Sequence, residues 1–248
     1  MSKIKQLEQI GAATLQLDIT DQQARINDTI QQAIAIYGHV DVLINNASYV
    51  AIGLLKDLRD EDYLAQFNTN VSGTTKVTRA ILPHFRQRRS GTLLFIGSLS
   101  GWVGHLGVSA YASSKFAIEG IVEAISKEVA GFGITTLLIE PGRFRTKLLS
   151  EANMKPIETK ILDYAEFSST MIKGVSGESG NQPGDPVKLV EIIIDLVKEE
   201  GIAKGRDVPF RLPLGEDCYD EMIAKVNETS KILVDWKDVI LSTNIETA

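Results

Sequence analysis

An α/β fold with a doubly wound parallel sheet is predicted by three features of this 248-residue chain. Short apolar segments alternate with stretches of helical periodicity, as in sheets whose parallel strands are joined by helices. Residues 92–96 form an unbroken apolar run, which is typical of a strand covered by helices on both faces. Polar or Gly residues follow several of these segments, at the sheet edge where such folds bind ligands. We expect one domain spanning residues 1–248.

The first half of the chain contains two strand-helix steps. A short strand-like run at residues 13–17 predicts a strand that ends at Asp18, and apolar residues at helical spacing predict a helix over residues 21–37, before Gly38. Residues 40–44 predict the second strand, which ends in an Asn-rich turn. Helical segments then follow over residues 60–88.

The second half continues the alternation and then loosens. Residues 143–184 have no clear periodicity, and their Gly-rich end at 174–184 has loop composition, so a substrate lid or a disordered segment is expected there. Asp185 and Pro186 are typical of a helix N-cap and first turn. The other predicted elements are a strand at 92–96, a helix at 111–132, a strand at 135–139, a helix at 185–200, an edge strand at 210–214 and a helix at 216–234.

Composition and charge exclude several classes of function. The net charge of -6 would repel a phosphate backbone, so we expect no nucleic-acid partner. Cys218 is the only cysteine, which excludes an intrachain disulfide. No apolar run approaches the roughly 18 residues of a membrane span, and the scattered histidines predict no metal site. We therefore expect a cytoplasmic protein without a membrane partner.

The segment Ser109-Ala-Tyr-Ala-Ser-Ser-Lys115 carries the clearest chemical pattern. Tyr111 and Lys115 are four residues apart, so on a helix they share one face, where an ammonium lowers the pKa of a neighbouring phenol. A phenol tuned in this way exchanges a proton with a substrate oxygen. Ser98 lies thirteen residues before Tyr111, just past a predicted strand. Alone, Tyr and Lys at this spacing more often cover a surface, but the strand and serine favour catalysis.

These residues resemble the catalytic tetrad of the short-chain dehydrogenase/reductase family, which consists of Asn, Ser, Tyr and Lys. The four residues of the tetrad correspond here to Asn70, Ser98, Tyr111 and Lys115. The resemblance covers residues 3–236 and implies a Rossmann-type fold that transfers a hydride between NAD or NADP and a small-molecule carbonyl or secondary alcohol. Tyr111 is then the general acid/base, and Lys115 lowers its pKa and holds the nicotinamide ribose. Ser98 orients the substrate oxygen, and Asn70 supports a proton relay through water. The resemblance also implies a homodimer or homotetramer.

Two short segments resemble cofactor-binding elements of the same family. Asn45-Asn46-Ala47-Ser48 is similar to its Asn-Asn-Ala-Gly turn, although an ordinary strand-exit turn is the alternative. Pro141-Gly142, with Thr146 after it, is similar to the segment that holds the nicotinamide. The resemblance assigns the cofactor contacts to Asp18, Ile19, Asn45, Ala47, Tyr111, Lys115, Pro141, Gly142, Phe144 and Thr146.

A few side chains near these motifs keep two interpretations. Asp18 resembles the acidic residue near the adenine, but an Asp at the N-terminal end of a helix is equally consistent. Arg143 and Arg145 are expected to be solvated loop charges rather than contacts to an acidic group. Trp102 is expected either to line the substrate pocket or to belong to the core.

The Gly-rich strand-turn-helix with which the family begins is not found before Asp18, so we expect an N-terminally incomplete fold that lacks the first two strands and the first helix. Because that turn binds the cofactor pyrophosphate, weak cofactor binding is expected. The strand at 13–17 would detach or pair with the strand at 40–44, unless the working protein carries further residues. The alternatives to an oxidoreductase are a catalytically impaired relative that binds or dimerises, and a carrier of apolar ligands.

Overall fold

The computed structural model describes residues 4–245. Its helices are α1 (Lys5–Gln9), α2 (Gln23–Tyr37), α3 (Asp60–Phe67), α4 (Thr74–Arg88), α5 (Ser109–Val129), α6 (Ala165–Gly177), α7 (Pro186–Lys198), α8 (Glu216–Asp235) and α9 (Lys237–Leu241). Its strands are β1 (Val42–Asn45), β2 (Val50–Ile52), β3 (Gly91–Ile96), β4 (Ile134–Pro141), β5 (Met154–Pro156) and β6 (Arg211–Leu214).

Four strands of the described residues form the main sheet in the order β1, β3, β4, β6, and every neighbouring pair is parallel. Residues alternate between the two faces along a strand. Leu93 and Phe95 therefore pack into a core built with α2, α4 and α5, whereas Leu94 packs into one built with α7. Helices cover both faces of the sheet, so the predicted α/β fold with a doubly wound parallel sheet is confirmed. β6 is an edge strand, in agreement with its Pro213.

Residues 13–17 form no strand in the described part of the chain, so the predicted first strand is wrong. The segment runs from α1 to α2 without a strand partner, and Leu15 and Leu17 are exposed. A strand needs a neighbour to satisfy its backbone N–H and C=O groups. None of the strands within residues 4–245 pairs with this segment, so its local pattern is not enough to make it a strand.

A second, two-stranded parallel sheet joins β2 to β5, with Val50 opposite Met154. It was not predicted, because three-residue strands are too short for a periodic signal. The Gly53 N–H donates to the Gly107 carbonyl at 2.8 Å, which links this sheet to the loop before α5. α6 packs on the same region through Met171, and it extends through Gly177, so the predicted loop at 174–184 begins later than expected.

A π-helical segment, Asn68–Gly73, joins α3 to α4. Such wider turns are frequent at functional sites. The segment buries Asn70, and a side chain at Gly73 would come within 2.7 Å of Ile19, so only glycine lets residue 19 pack there. The π-helical segment therefore packs against the chain before α2 at Gly73 and holds Asn70 in the interior of the protein.

Candidate active site

A cavity of about 520 Å³ opens at the carboxyl ends of β1, β3 and β4. Asn46 follows β1, Ser98 follows β3 and Pro141 ends β4, and all three line the cavity. Tyr111 and Lys115 of α5 form part of the same wall. Four separate parts of the chain therefore meet at the sheet edge where parallel α/β folds bind ligands.

Tyr111 and Lys115 both point from α5 into the protein. Their side chains are buried, with relative exposures of 7% and 4%. The Lys115 Nζ atom lies 5.7 Å from the centroid of the Tyr111 ring and donates a hydrogen bond of 2.8 Å to the Ile96 carbonyl at the end of β3. The helix thus holds a buried cation beside a buried phenol.

Burial changes the pKa of both side chains. It raises the pKa of Tyr111 above the ordinary value of 10, and a hydrogen bond with Ser98 opposes that rise. It lowers the pKa of Lys115 to about 8, against the opposing effect of Glu119. The pKa of Tyr111 is therefore raised rather than lowered as expected, because burial outweighs the hydrogen bond that favours the phenolate.

Ser98 is positioned by the turn that ends β3. The Gly97 N–H donates to the Ile139 carbonyl at 2.7 Å, which keeps this turn beside β4. The Ser98 Oγ atom accepts a hydrogen bond of 3.1 Å from the Ser100 N–H. The serine hydroxyl therefore reaches Tyr111 from a backbone that is itself held by hydrogen bonds.

Asn70 lies behind the cavity rather than in its lining. Its side-chain amide donates to the Ser114 Oγ atom at 3.0 Å and to the Tyr49 carbonyl at 3.3 Å, and its oxygen accepts from the Tyr49 N–H at 3.3 Å. These bonds join the π-helical turn to α5 and to the start of β2. In this geometry Asn70 fixes the elements around Tyr111 and touches neither Tyr111 nor Lys115 through a hydrogen bond.

The structure divides the other expected cofactor contacts into two groups. Pro141, Gly142, Phe144 and Thr146 line the cavity together with Tyr111 and Lys115. The second group does not line it: Asp18, Ile19, Asn45 and Ala47.

The members of the second group have contacts of their own. Asn45 donates to the Thr78 Oγ1 atom at 3.2 Å. Asp18 accepts hydrogen bonds from Thr20, which lower its pKa below 3.8. Ile19 packs against the main core.

Sequence reasoning missed most of the apolar lining. Lining residues contributed by β2 and by the segments before α5 and after β4 are Val50, Ile52, Leu106, Val108, Leu148 and Leu149. No motif connects these residues, since β2 and the segment after β4 lie about a hundred positions apart in the chain and meet only through the second sheet. The polar residues Asn46 and Ser48 also line the cavity, and they were within the recognised Asn-rich turn.

Arg143 and Trp102 each have partners within the protein. The Arg143 backbone N–H and guanidinium both reach the Asp217 carboxylate of α8, at 2.7 and 3.3 Å, while the Arg143 side chain stays half exposed, so the expected solvated loop charge also has an acidic partner within the protein. Asp217 approaches because Gly142 has no side chain to block it. Trp102 packs in a small core cluster with Leu99 and does not line the cavity.

Two classes of site are not found among residues 4–245. No group of three or more potential metal ligands occurs there. His84 accepts from the Val40 N–H at 3.2 Å, and His105 lies 2.7 Å from Glu221, so these two histidines have protein partners. No helix in the described residues is long and apolar enough to cross a membrane.

Known proteins resemble this chain in sequence and in structure. A family model described as short chain dehydrogenase matches residues 1–156. An uncharacterized oxidoreductase of Bacillus subtilis, YusZ, is 31% identical over 224 residues, which cover 86% of this chain and 77% of that protein. A 3-ketodihydrosphingosine reductase of Bacteroides thetaiotaomicron is 32% identical over 212 residues, covering 85% and 76%. The family match begins at the first residue, so it does not confirm the predicted missing Gly-rich segment.

Solved structures give the same result. A short-chain dehydrogenase from Streptomyces avermitilis superposes with a TM-score of 0.85 at 33% identity, covering 98% of this chain and 86% of that one. Two more distant structures share the fold: ElxO with NADP bound (TM-score 0.67, 24% identity, covering 88% and 85%) and a Burkholderia phymatum dehydrogenase in complex with NAD (0.73, 16%, covering 100% and 83%). The family model, the relatives and the geometry agree that the chain belongs to the short-chain dehydrogenase family of oxidoreductases.

Proposed function

We propose that this protein transfers a hydride between a nicotinamide cofactor, NAD or NADP, and a carbonyl or secondary alcohol on an apolar substrate. The observation that carries the proposal is the convergence of Ser98, Tyr111 and Lys115 on one cavity wall. A phenol, a hydroxyl and a buried ammonium supply a proton donor, a hydrogen-bond donor and a positive charge. In carbonyl reduction the proton donor and the hydrogen-bond donor act on the substrate oxygen, and the positive charge stabilises the anion left on the proton donor.

The residues around the cavity fit a nicotinamide cofactor. The Ser48 Oγ atom is buried and has no hydrogen-bond partner among the described residues, although Ser48 lines the cavity. An unpartnered buried hydroxyl is costly and is satisfied by a polar ligand group. Ser48 and Lys115 would hold the ribose hydroxyls, and Thr146 would hold the carboxamide. When bound, the nicotinamide supplies or accepts the hydride.

The remaining contacts belong to the other end of the cofactor. We assign Asp18 and Ile19 to the adenine side, and Asn45 and Ala47 to the turn beneath the ribose, as the family resemblance implies. The Asp18 carboxylate is ionised at neutral pH, and the Thr20 hydrogen bonds lower its pKa further. An ionised carboxylate accepts hydrogen bonds from an amino group or a hydroxyl.

Proton transfer is assigned to Tyr111. In reduction its hydroxyl donates a proton to the substrate oxygen as that oxygen gains negative charge, and in oxidation the phenolate takes the proton back. Ser98 donates a hydrogen bond to the same oxygen. The Lys115 ammonium stabilises the phenolate that forms on Tyr111. Asn70, through its hold on α5 and β2, keeps these groups aligned and supports a proton relay through water.

The substrate class follows from the apolar lining. The apolar cluster that packs against Tyr111 contributes Val50, Ile52, Leu148 and Leu149 to the cavity lining. Burying an alkyl chain in such a cluster is favourable by about 0.8 kcal/mol for each CH2 group. One relative is named as a 3-ketodihydrosphingosine reductase, and that name favours ketone reduction here. We assign the carbonyl to the Tyr111 end and the alkyl chain to this cluster.

A panel of ketones tests this proposal. The purified chain is assayed for oxidation of NADH and of NADPH with methyl ketones of increasing alkyl length, and with pyruvate as a short charged control. We expect kcat/KM to rise with alkyl length and pyruvate to be the poorest substrate. Highest activity on pyruvate would contradict the apolar assignment. If the chain shows no turnover and binds neither cofactor, the proposed oxidoreductase activity is wrong.

Three further features of the protein are part of this proposal. We propose a homodimer or homotetramer built on α4 and α5, and a cytoplasmic location. The segment 143–184, which contains β5 and α6, is proposed as the substrate lid. The comparisons give no support to a catalytically impaired binding protein, since the relatives are named as oxidoreductases.

A further inference from the structure

Two buried carboxyl groups meet behind Lys115. Glu119 lies one turn further along α5 and is 8% exposed, and Glu140, near the end of β4, is fully buried. The Glu140 Oε1 atom accepts a hydrogen bond of 2.6 Å from the Trp102 Nε1–H. The Glu140 Oε2 atom and both Glu119 oxygens have no hydrogen-bond donor among the described residues. The carboxyl groups of Glu119 and Glu140 lie within hydrogen-bonding reach of each other. Two carboxylates so placed in a buried site cannot both remain ionised, and one shared proton would join an oxygen of Glu119 to an oxygen of Glu140.

The surroundings of the pair support a single shared proton. Burial and the neighbouring Glu140 raise the pKa of Glu119 to about 9. On α5 the pair faces Lys115, and from β6 it faces Arg211, whose Nη2 atom lies 3.5 Å from Glu119 Oε2 and 3.6 Å from Glu123 Oε2.

The remaining neighbour comes from α8. The Cys218 thiol donates to the Glu140 backbone carbonyl at 3.2 Å, and burial raises its pKa to about 12, so it stays neutral. A singly protonated pair therefore carries one negative charge between two cations.

The turn that carries Ser98 is folded around this pair. A Cβ atom at Gly97 would lie 3.0 Å from Glu119 Oε1, and a Cβ atom at Gly101 would lie 2.9 Å from the same oxygen. Glycine on both sides of Ser98 thus allows the Glu119 carboxyl to lie directly against the backbone. Trp102, the next residue, is fixed by its bond to Glu140, and Arg211 lies over its ring at 5.2 Å.

We propose that Glu119 and Glu140 share one proton and act as positioning residues, joining α5 to β4 so that the Ser98 turn and Lys115 keep their places in the cavity wall. Loss of the shared proton leaves two carboxylates that repel each other beneath Gly97 and Gly101. The Ser98 hydroxyl then moves relative to Tyr111. The effect on turnover rests on the proposed oxidoreductase function, whereas the shared proton itself does not.

Infrared spectroscopy tests the shared proton without any substrate. Wild-type protein is expected to show the C=O stretch of a protonated carboxyl group at neutral pH. This band should disappear at alkaline pH, once the pair has lost its shared proton. Glu119→Gln should lack this band at every pH. Glu123→Gln is the matched control, because Glu123 contacts the same Arg211 atom but is half exposed and does not reach Glu140. Absence of the band in wild type, or its persistence in Glu119→Gln, would overturn the proposal.

Kinetics test the positioning role with the most active ketone of the panel. Gln at 119 donates a hydrogen bond to Glu140 as the protonated acid does, so Glu119→Gln should retain kcat near the wild-type value. Glu119→Ala removes the hydrogen-bond partner of Glu140 and should lower kcat by about 10²-fold, the effect of a misplaced catalytic group. Equal losses in both variants would refute rescue by the amide and overturn the positioning role. If no ketone reacts, the proposed function fails, and the infrared result still decides whether the proton is shared.

Discussion

The Tyr111 hydroxyl is the single group on which the proposed chemistry depends most directly. Tyr111→Phe removes this oxygen and leaves the ring in its apolar cluster. We expect kcat to fall by about 10²- to 10⁴-fold, the range for loss of a general acid/base, with little change in cofactor affinity. Steady-state kinetics and cofactor titration measure both quantities. Tyr219→Phe, at a side chain that is 62% exposed on α8, serves as the control, and wild-type turnover in Tyr111→Phe would refute the mechanism.

Lys115 is expected to set the alkaline limit of ketone reduction. Its pKa is lowered to about 8, whereas that of Tyr111 stays above 10, so Lys115 loses its proton first as the pH rises. The rate should therefore be highest below about pH 8 and should fall through that value, because the forming phenolate loses its neighbouring positive charge.

Lys115→Arg checks this assignment through a pH profile of kcat. Arginine stays protonated throughout the accessible range, so the alkaline decline should move to higher pH, whatever the absolute rate of the variant. A decline at the same pH in both proteins would assign it to another group.

Gly142 is predicted to be a position where a side chain lowers stability. A Cβ atom there would lie 2.2 Å from Asp217 Oδ1, whose carboxylate also accepts the Arg143 N–H bond. Gly142→Ala should lower the free energy of unfolding by roughly 1–3 kcal/mol, the usual cost of overpacking.

Gly120→Ala is the matched control for that substitution. Gly120 lies within α5, and a Cβ atom there meets nothing within 4 Å. Alanine should stabilise the helix by about 0.4–1 kcal/mol by restricting the unfolded chain. Denaturant unfolding measures both variants, and an equal effect of the two substitutions would contradict the steric argument at Gly142.

At the scale of elements, one face of α5 carries residues of the candidate active site, and we propose that another face forms the contact between subunits. Tyr111 and Lys115 face inward, while Phe116 remains 47% exposed on the same helix. Phe116→Asp should shift the protein toward monomer in sedimentation at micromolar concentration, because it places a charge in an apolar contact. Tyr219→Asp should leave the oligomer unchanged. A wild-type protein that sediments only as monomer would contradict the interface.

The region between β4 and α7 shows how packing overrides a loop-like composition. Gly174 and Gly177 weaken helical propensity, so the sequence favoured a loop. Met171 and its neighbours instead pack against Tyr111 and β5, and this burial stabilises α6 through Gly177. The lid proposed for this region is therefore partly helical.

At the scale of the whole molecule, cofactor binding should appear as thermal stabilisation. A ligand at a hundred times its Kd stabilises the folded state by about 2.7 kcal/mol. For a domain of this size, each kcal/mol raises Tm by roughly 2–4 °C. We expect a rise of several degrees with the preferred cofactor, NAD or NADP, and a smaller one with the other. If neither cofactor changes the Tm measured in thermal unfolding, the prediction that this chain binds a nicotinamide cofactor is wrong.

Local patterns were sufficient for the framework and for part of the site. Apart from β2, β5, α6 and α9, the order of strands and helices from α2 onward follows from periodicity, since helical and strand spacing reflect which side of a segment is buried. Ser98, Tyr111 and Lys115 lie within seventeen residues of one another, so one strand end and one helix determine their arrangement. Their convergence could therefore be predicted before any tertiary contact was known.

Tertiary structure alone decided the remaining features. Residues 13–17 have a strand pattern but no neighbour, while β2 and β5 have almost no pattern and pair across the chain. Asp217 reaches Arg143 from 74 residues away, and Glu140 of β4 meets Glu119 of α5. Strand pairing and buried charge pairs depend on which distant groups are brought into contact, and no local periodicity encodes that choice. The sequence by itself thus determined the chemistry at the end of β3 and the start of α5, and the packing of distant elements decided what surrounds it.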